Sequence, residues 1–291
     1  RLVDNLSSER VEIDMVDVSG PAFAGVDNRV LTLRLVQLGL TGAAMFAADG
    51  RVLQPSEALR KRPLLVQRGR FRPVTHVNMD MLQSSLHKFS ELNDVAVGDV
   101  LPILEISMHN LKEDSNVCLE DFVSRADVVA ATGCTVMISD FQQYHRLAAY
   151  LTRYTREPIG LSLGFLTLRS LFEARYYEDL DGGILEGFGR LFRQQLSLLI
   201  YPCKNQDTGE IEHLDSVHLD APLQHLFTYL RERGCLVPLQ DVAYQHLDIH
   251  SPRVLSMIAA GDESWTTLVP DAVAKKIVAG RLFGHGGHAL A

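Results

Sequence analysis

From Pro63 onward, short apolar runs alternate with longer stretches whose apolar residues recur at helical spacing. The runs PLLVQ (63–67), VLPILEIS (100–107), TVMIS (135–139), IGLSLG (159–164) and LSLLIYP (196–202) are apolar at nearly every position, not at alternate ones. Strands covered on both faces, as in a parallel sheet between helices, have that pattern. The amphipathic stretches between them are NMDMLQSSLHKFSE (78–91), LEDFVSRADVVAATG (119–133), FQQYHRLAAYLTRYT (141–155) and GGILEGFGRLFRQQ (182–195). Gly133 ends the second, Gly182-Gly183 opens the fourth, and a later helix, APLQHLFTYLRERG (221–234), stops at Gly234. Glycines at such boundaries are ordinary helix punctuation. The alternation predicts an α/β domain, a Rossmann-like doubly wound parallel sheet.

The first 62 residues break the alternation. RVEIDMVDV (10–18) predicts a strand, NRVLTLRLVQLGL (28–40) suits helix or strand, and AAMFAADGRVLQ (43–54) predicts two strands joined at Asp49-Gly50. The expected division is an N-terminal extension over 1–62, the α/β domain over 63–280 and a flexible tail over 281–291 that includes GHGGHAL (284–290).

With 46% hydrophobic residues in 291, the chain can bury a sizeable core. Its formal charge of −8 argues against a partner bound by neutralising nucleic-acid phosphates, and the basic run ALRKRP (58–63) suits a solvated face. No apolar stretch approaches the ~20 residues that span a bilayer, so a cytoplasmic protein with no membrane partner is expected. Cys118, Cys134, Cys203 and Cys235 form no CxxC pair, which points to reduced thiols and away from zinc or a disulfide framework. His246 and His250 stand four apart without an HExxH motif, and no metal site is expected.

The junction RGRFRPVTHVNMDML (68–82) is where chemistry is expected. A strand that turns at a glycine into a helix gathers free backbone N–H groups and the positive end of the helix dipole, which suits a phosphate. Gly69 lets backbone approach a ligand closely, Pro73 fixes the turn, and Thr75, His76 and Asn78 bring donors to the helix start. An ordinary capped helix would leave the same trace.

The segment GRFRPVTHVNMDML also resembles the signature G-[TSR]-F-x-P-[x]-[TH]-x-G-H of the cytidylyltransferase-like nucleotidyltransferases. Phosphopantetheine and nicotinate-nucleotide adenylyltransferases carry that signature. Gly69, Arg70, Phe71, Pro73 and Thr75 match it, and Asp80 fits a common position just beyond. DIHSPRVLSMIAAGDESWTTLVPDAVAKKI (248–277) is similar to the I-S-S-T-x-I-R segment, short helix, Gly and LVP-x-x-V-x-x-x-I of nicotinate-nucleotide adenylyltransferases. Between the two, EISMHNLKED (105–114) and LEDFVSRADVV (119–129) resemble the second strand, its Asn/Lys loop and the next helix, so the likeness runs from about Leu65 to Ile277.

The resemblance implies a nucleotidyltransferase-type sheet and transfer of AMP from ATP, or another nucleotide, to a mononucleotide acceptor with Mg²⁺, releasing pyrophosphate. It implies catalytic positions at Thr75 and Asn78, and nucleotide contacts at Gly69, Arg70, Phe71, His76, Lys112, Ser251 and Arg253. The site departs from the family at four places. Asn78 stands for the motif's last His, Val77 for the glycine before it, Leu255 for the phosphate-holding Arg, and Pro252 for a Thr. Asn carries no charge, Val77 adds bulk, Leu255 removes a bidentate clamp and Pro252 removes a hydroxyl and a backbone donor. Each such loss typically costs ~10²–10³ in rate, without adding. Two readings result: an adenylyltransferase with reduced or lost activity, and a catalytically silent nucleotide-binding or protein-interaction module of the same fold. A local shift of register would let His76 and Arg253 stand in.

Three further stretches stay open. Lys112, near His109 and Asn110, suits a phosphate contact or a solvated loop. FQQYHRLAAYLTRYTREP (141–158) sets Tyr144, Tyr150 and Tyr154 among Arg146, Arg153 and Arg156, which favours an amphipathic helix with snorkelling arginines over a base-stacking surface. FEARYYEDLDGGILEGFGRLF (172–192) suits a pocket rim or an interface. Self-association is left open.

Overall fold

A computed structural model describes residues 13–113 and 116–287, and the side chains of 112–117 also lie outside the description. The strands in chain order begin with β1 (Ala43–Phe46), β2 (Val52–Leu53), β3 (Leu64–Arg68) and β4 (Leu101–Ser107). A two-residue hairpin, β5 (Lys112–Glu113) with β6 (Asn116–Val117), precedes β7 (Thr135–Ser139), β8 (Ile159–Gly164) and β9 (Leu196–Tyr201). A second hairpin, β10 (Cys203–Lys204) with β11 (Ile211–Glu212), precedes β12 (Leu236–Pro238). The main sheet has eight strands in the order β12-β9-β8-β3-β4-β7-β1-β2. The pairs β12/β9, β9/β8, β8/β3, β3/β4 and β4/β7 are parallel, and β1 and β2 close one edge antiparallel.

Counted in chain order, the parallel strands run 6-5-4-1-2-3 across the sheet. This is the Rossmann order, and its switch point lies between β3 and β8, where the two halves wind away from each other. Leu65, Ile103, Leu104, Ile138, Leu161, Leu198 and Leu199 are buried to within 1% along these strands. A strand with helices on both faces has no solvent side, so the continuous apolar runs follow from the architecture.

The helices are α1 (Asn28–Gln37), α2 (Pro55–Ala58), α3 (His76–Asn93), α4 (Met108–Leu111), α5 (Leu119–Ala130) and α6 (Tyr144–Leu151), followed by α7 (Phe165–Leu171), α8 (Gly183–Leu191), α9 (Ala221–Glu232), α10 (Ser251–Ala260) and α11 (Asp271–Gly280). α3 lies over β3, β8 and β9 through Leu82 and Phe89. Gly160 permits that approach, because a Cβ there would fall 2.8 Å from the side chains of Leu65 and Phe89.

The segment before Pro63 is joined to the sheet: β1 pairs with β7 from Ala43↔Ser139 to Phe46↔Val136. The strand expected over 10–18 does not form in its described part. Residues 13–18 are irregular, tied by Ile13 N–H to the Leu40 carbonyl at 2.8 Å, and 10–12 lie outside the described residues. At the other end Phe283 is 1% exposed in the core, so the expected flexible tail is packed there. Residues 288–291 lie outside the described residues. No helix among the described residues is long and apolar enough to cross a membrane.

Candidate functional site

Two of the helices that start at the carboxyl edge of the sheet, α3 and α6, are built differently. At the start of α3 the turn folds inward. Phe71 takes a left-handed φ of 47° and lays its ring against Gly69, where a Cβ would lie 2.7 Å from the ring. Phe71, Val74 and Thr75 are 2%, 0% and 0% exposed. The Asn78 Oδ1 accepts from the Thr75 backbone N–H at 2.9 Å and from its hydroxyl at 3.0 Å, the reciprocal arrangement of a capping box. Gln67 donates to the Asn78 carbonyl from below at 3.2 Å. Thr75 and Asn78, the expected catalytic pair, are therefore bonded to each other, while the N–H groups of His76 and Val77 donate to no acceptor among the described residues.

The two sequence motifs do meet there. The Ser251 hydroxyl donates to the Pro73 carbonyl at 3.3 Å, across 178 residues, and His246 stacks on His76 at 5.3 Å. Asp80 accepts from Tyr201 Oη at 2.5 Å and from the Ala243 N–H at 2.9 Å, strapping the 241–251 segment onto α3. Burial, then the facing His246, hold His76 below the usual histidine pKa, with Asp271 opposing. Arg253 is exposed on α10, and Leu255 packs against the core. His76 lines a small hollow of 340 Å³, which Arg253 does not border.

A larger cleft of 550 Å³ opens on the other side of Gly69 and Arg70, outside the ends of β3, β4 and β7. Crevices at the carboxyl ends of parallel strands beside a switch point are where open α/β sheets take ligands. One wall carries His109, Asn110, Gln143 and Tyr144; the other carries Leu166, Leu171, Tyr176 and Tyr177. Among the described residues no aspartate or glutamate lines it, although the chain has 36. A side hollow of 350 Å³ continues past Ser107 and Gln142 to Arg146 and Asp140.

The start of α6 faces this cleft. Its N-cap residue Gln143 makes no side-chain cap, its first turn carries no acid, and the N–H groups of Tyr144 and His145 donate to no acceptor among the described residues. An uncapped start holds a fixed positive partial charge that an anion satisfies. His145 lies in the same turn, 3% exposed, with Nε2 buried and unpartnered. Burial, then Arg146 and Arg190, push its pKa down, with Asp179 and Glu186 opposing.

Arg68 places α6 there. Its guanidinium meets the buried Glu105 carboxylate at 2.5 and 3.0 Å, and donates to the Phe141 and Gln142 carbonyls at 2.8 and 2.9 Å. It also lies 4.6 Å from the Tyr144 ring centroid, and burial pushes that phenol's pKa up to about 12. Ser139 donates to Glu105 as well. A bidentate Arg–carboxylate pair fixes geometry, and here it sets the start of α6 beside the end of β3.

Of the remaining expected contacts, Gly69 and Arg70 border the cleft, Phe71 is buried, and the Lys112 side chain lies outside the described residues. Arg70 is exposed and forms no ion pair among the described residues. Its neighbour Arg72 pairs with Asp121 at 2.7 Å, and Asp121 also holds buried Arg125 at 2.5 Å, clamping the turn to α5. Gln142, Gln143 and His145 carry no site signal in the sequence beyond the absent cap residue at 143, and Tyr144 falls in the stretch read there as an amphipathic helix in preference to a base-stacking surface. Among the described residues no group of three or more His, Cys, Asp or Glu gathers to hold a metal. A further hollow of 780 Å³ lies at the opposite edge, and its Arg29, Arg51 and Lys276 are paired with Asp27, Asp49 and Asp127.

No family model matches the chain, and neither does any curated protein. Among solved structures, it is similar to the Plasmodium falciparum nicotinic acid mononucleotide adenylyltransferase complexed with APC, at 11% identity over 76% of this chain and 97% of that one, with a TM-score of 0.41. It is also similar to a Vibrio parahaemolyticus protein provisionally assigned as a nicotinate-nucleotide adenylyltransferase, at 11% identity over 77% and 96% of the two chains, with a TM-score of 0.29. Likenesses of that size say nothing of what this chain binds.

Proposed function

We propose that the chain is a nucleotidyltransferase-like binding protein that holds a small anionic, nucleotide-type ligand in the cleft at the start of α6, and that AMP transfer at the start of α3 is silent. The carrying observation is the contrast between the two helix starts. Thr75 and Asn78 are bonded to each other at the α3 start with Thr75 wholly buried, whereas α6 starts without a side-chain cap beside a cleft that no aspartate or glutamate lines among the described residues. Transfer of a nucleotidyl group depends on positioning and charge stabilisation at the reacting phosphate. The position of the motif's last His is held by neutral Asn78, and the Arg position by core-packed Leu255. The cleft has what a mononucleotide needs: helix N–H groups and Arg70 for an anionic group, tyrosines and leucines for a ring.

Two measurements on the intact chain test this. Calorimetry with nicotinic acid mononucleotide is expected to show binding that competes with inorganic phosphate. Incubation with ATP and the same mononucleotide is expected to release no pyrophosphate above background. Pyrophosphate release at an ordinary enzymatic rate would restore the adenylyltransferase reading, and failure to bind any mononucleotide would remove the cleft from consideration.

A further inference from the structure

We infer that His145 couples anion binding in the cleft to uptake of a proton, so that the ligand binds more tightly as pH falls. This rests on the reading of the cleft as an anion site. The geometry is specific. His145 lies in the first turn of α6, in the wall of the cleft, and its ring stacks at 6.3 Å on Tyr177, whose hydroxyl is held by the Leu171 carbonyl at 2.7 Å. A Cβ at Gly187 would lie 2.2 Å from the Tyr177 ring, so α8 presses Tyr177 toward α6 and leaves the imidazole little room to turn away. The ring is almost wholly buried and its Nε2 has no partner, an arrangement that is costly unless something occupies the site.

The charges facing the ring come from three directions. Arg146 on α6 is bonded to Asp179 at 2.6 Å, Arg190 on α8 to Glu186 at 2.6 Å, and Arg193 borders the groove that His145 shares with Arg146 and Arg190. Each acid is engaged by an arginine, and the unliganded imidazole stays neutral near neutral pH. An anion on the α6 start adds a negative charge at the turn that carries His145 and favours the imidazolium. Reciprocity then requires that protonation favour the anion by the same factor. The sign is fixed: affinity is lowest where the ring is neutral in both states, and rises as pH falls through the pKa of the liganded form. It levels off below that of the free form.

The test uses nicotinic acid mononucleotide in calorimetry, with wild type and His145→Gln, from about pH 8 to about pH 6. The probe's own phosphate titrates in this range and acts on both proteins, so the quantity read is the difference between the two pH profiles. Wild type is expected to gain a few-fold more affinity than His145→Gln over the range, on the way to a limit of about tenfold that a shift of roughly one pKa unit reaches only below the pKa of the free ring. Wild type measured in two buffers of different ionisation enthalpy is expected to take up more protons on binding than the probe alone supplies, a readout that needs no variant. Binding with parallel profiles and no extra proton uptake overturns the coupling and leaves the cleft assignment standing. Absence of binding at every pH overturns both.

Discussion

The starts of α3 and α6 stand on either side of the β3 turn, and the chain treats them in opposite ways. At α3, three of the groups that could meet a phosphate are turned inward, Asn78 onto Thr75, Phe71 onto Gly69 and Ser251 onto Pro73, while His76 lines a small hollow. At α6, a buried charge pair, Arg68 with Glu105, holds the helix start open to a cleft. A helix terminus is an anion site only while its N–H groups lack other partners. The lesson is that a motif marks where a helix begins, whereas its capping decides whether that beginning is free to bind.

The comparison breaks most visibly at Glu105. Replacing it with alanine strands a buried guanidinium, and chemical denaturation is expected to show a loss of about 3–5 kcal/mol with loss of mononucleotide binding. A loss below about 1 kcal/mol would mean the pair does not organise the site. Arg70→Ala is expected to weaken mononucleotide binding about tenfold in calorimetry while leaving the denaturation midpoint in place, as removal of one charge-assisted contact from an exposed side chain should. Unchanged affinity would take Arg70 out of the site.

Thr75→Ala sharpens the contrast from the other side. Loss of the cap is expected to cost about 1 kcal/mol of stability and nothing in affinity. An affinity loss there would mean that the ligand reaches α3 after all. The smallest signal is the acid limb of stability. His76 and His145 both have pKa values below the ordinary histidine value, so the unfolded chain takes up protons first and stability falls as pH drops below about 6.5. In His76→Asn the slope of Tm against pH over that limb is expected to shrink; an unchanged slope would show that the His76–His246 stack does not resist protonation.

Much of the fold could be read from the sequence because strands buried on both faces print as continuous apolar runs: β4, β7, β8 and β9 lie within the runs expected, and β3 extends one residue past its run, to Arg68. β12 escaped because a three-residue strand has no period to detect, and α7 because seven residues after a strand resemble a loop. The β1–β2 hairpin was visible at Asp49-Gly50, but its pairing with β7 was not, since no local pattern names a partner 90 residues away. In the site, the replacement of the motif histidine by Asn78 was legible as lost charge. That the same side chain caps α3 needed coordinates. Gln142 to His145 carried only a weak negative sign, the lack of a cap. The reason they face a cleft, the Arg68–Glu105 pair, joins residues 37 apart.

The most direct test is the backbone amide spectrum of the intact chain titrated with nicotinic acid mononucleotide. Shifts concentrated at Gln142 to Arg146, with Arg70 and Tyr176, are expected, and Thr75 to Met79 should stay still. Shifts centred on Thr75 to Met79 with a quiet α6 start would contradict the account.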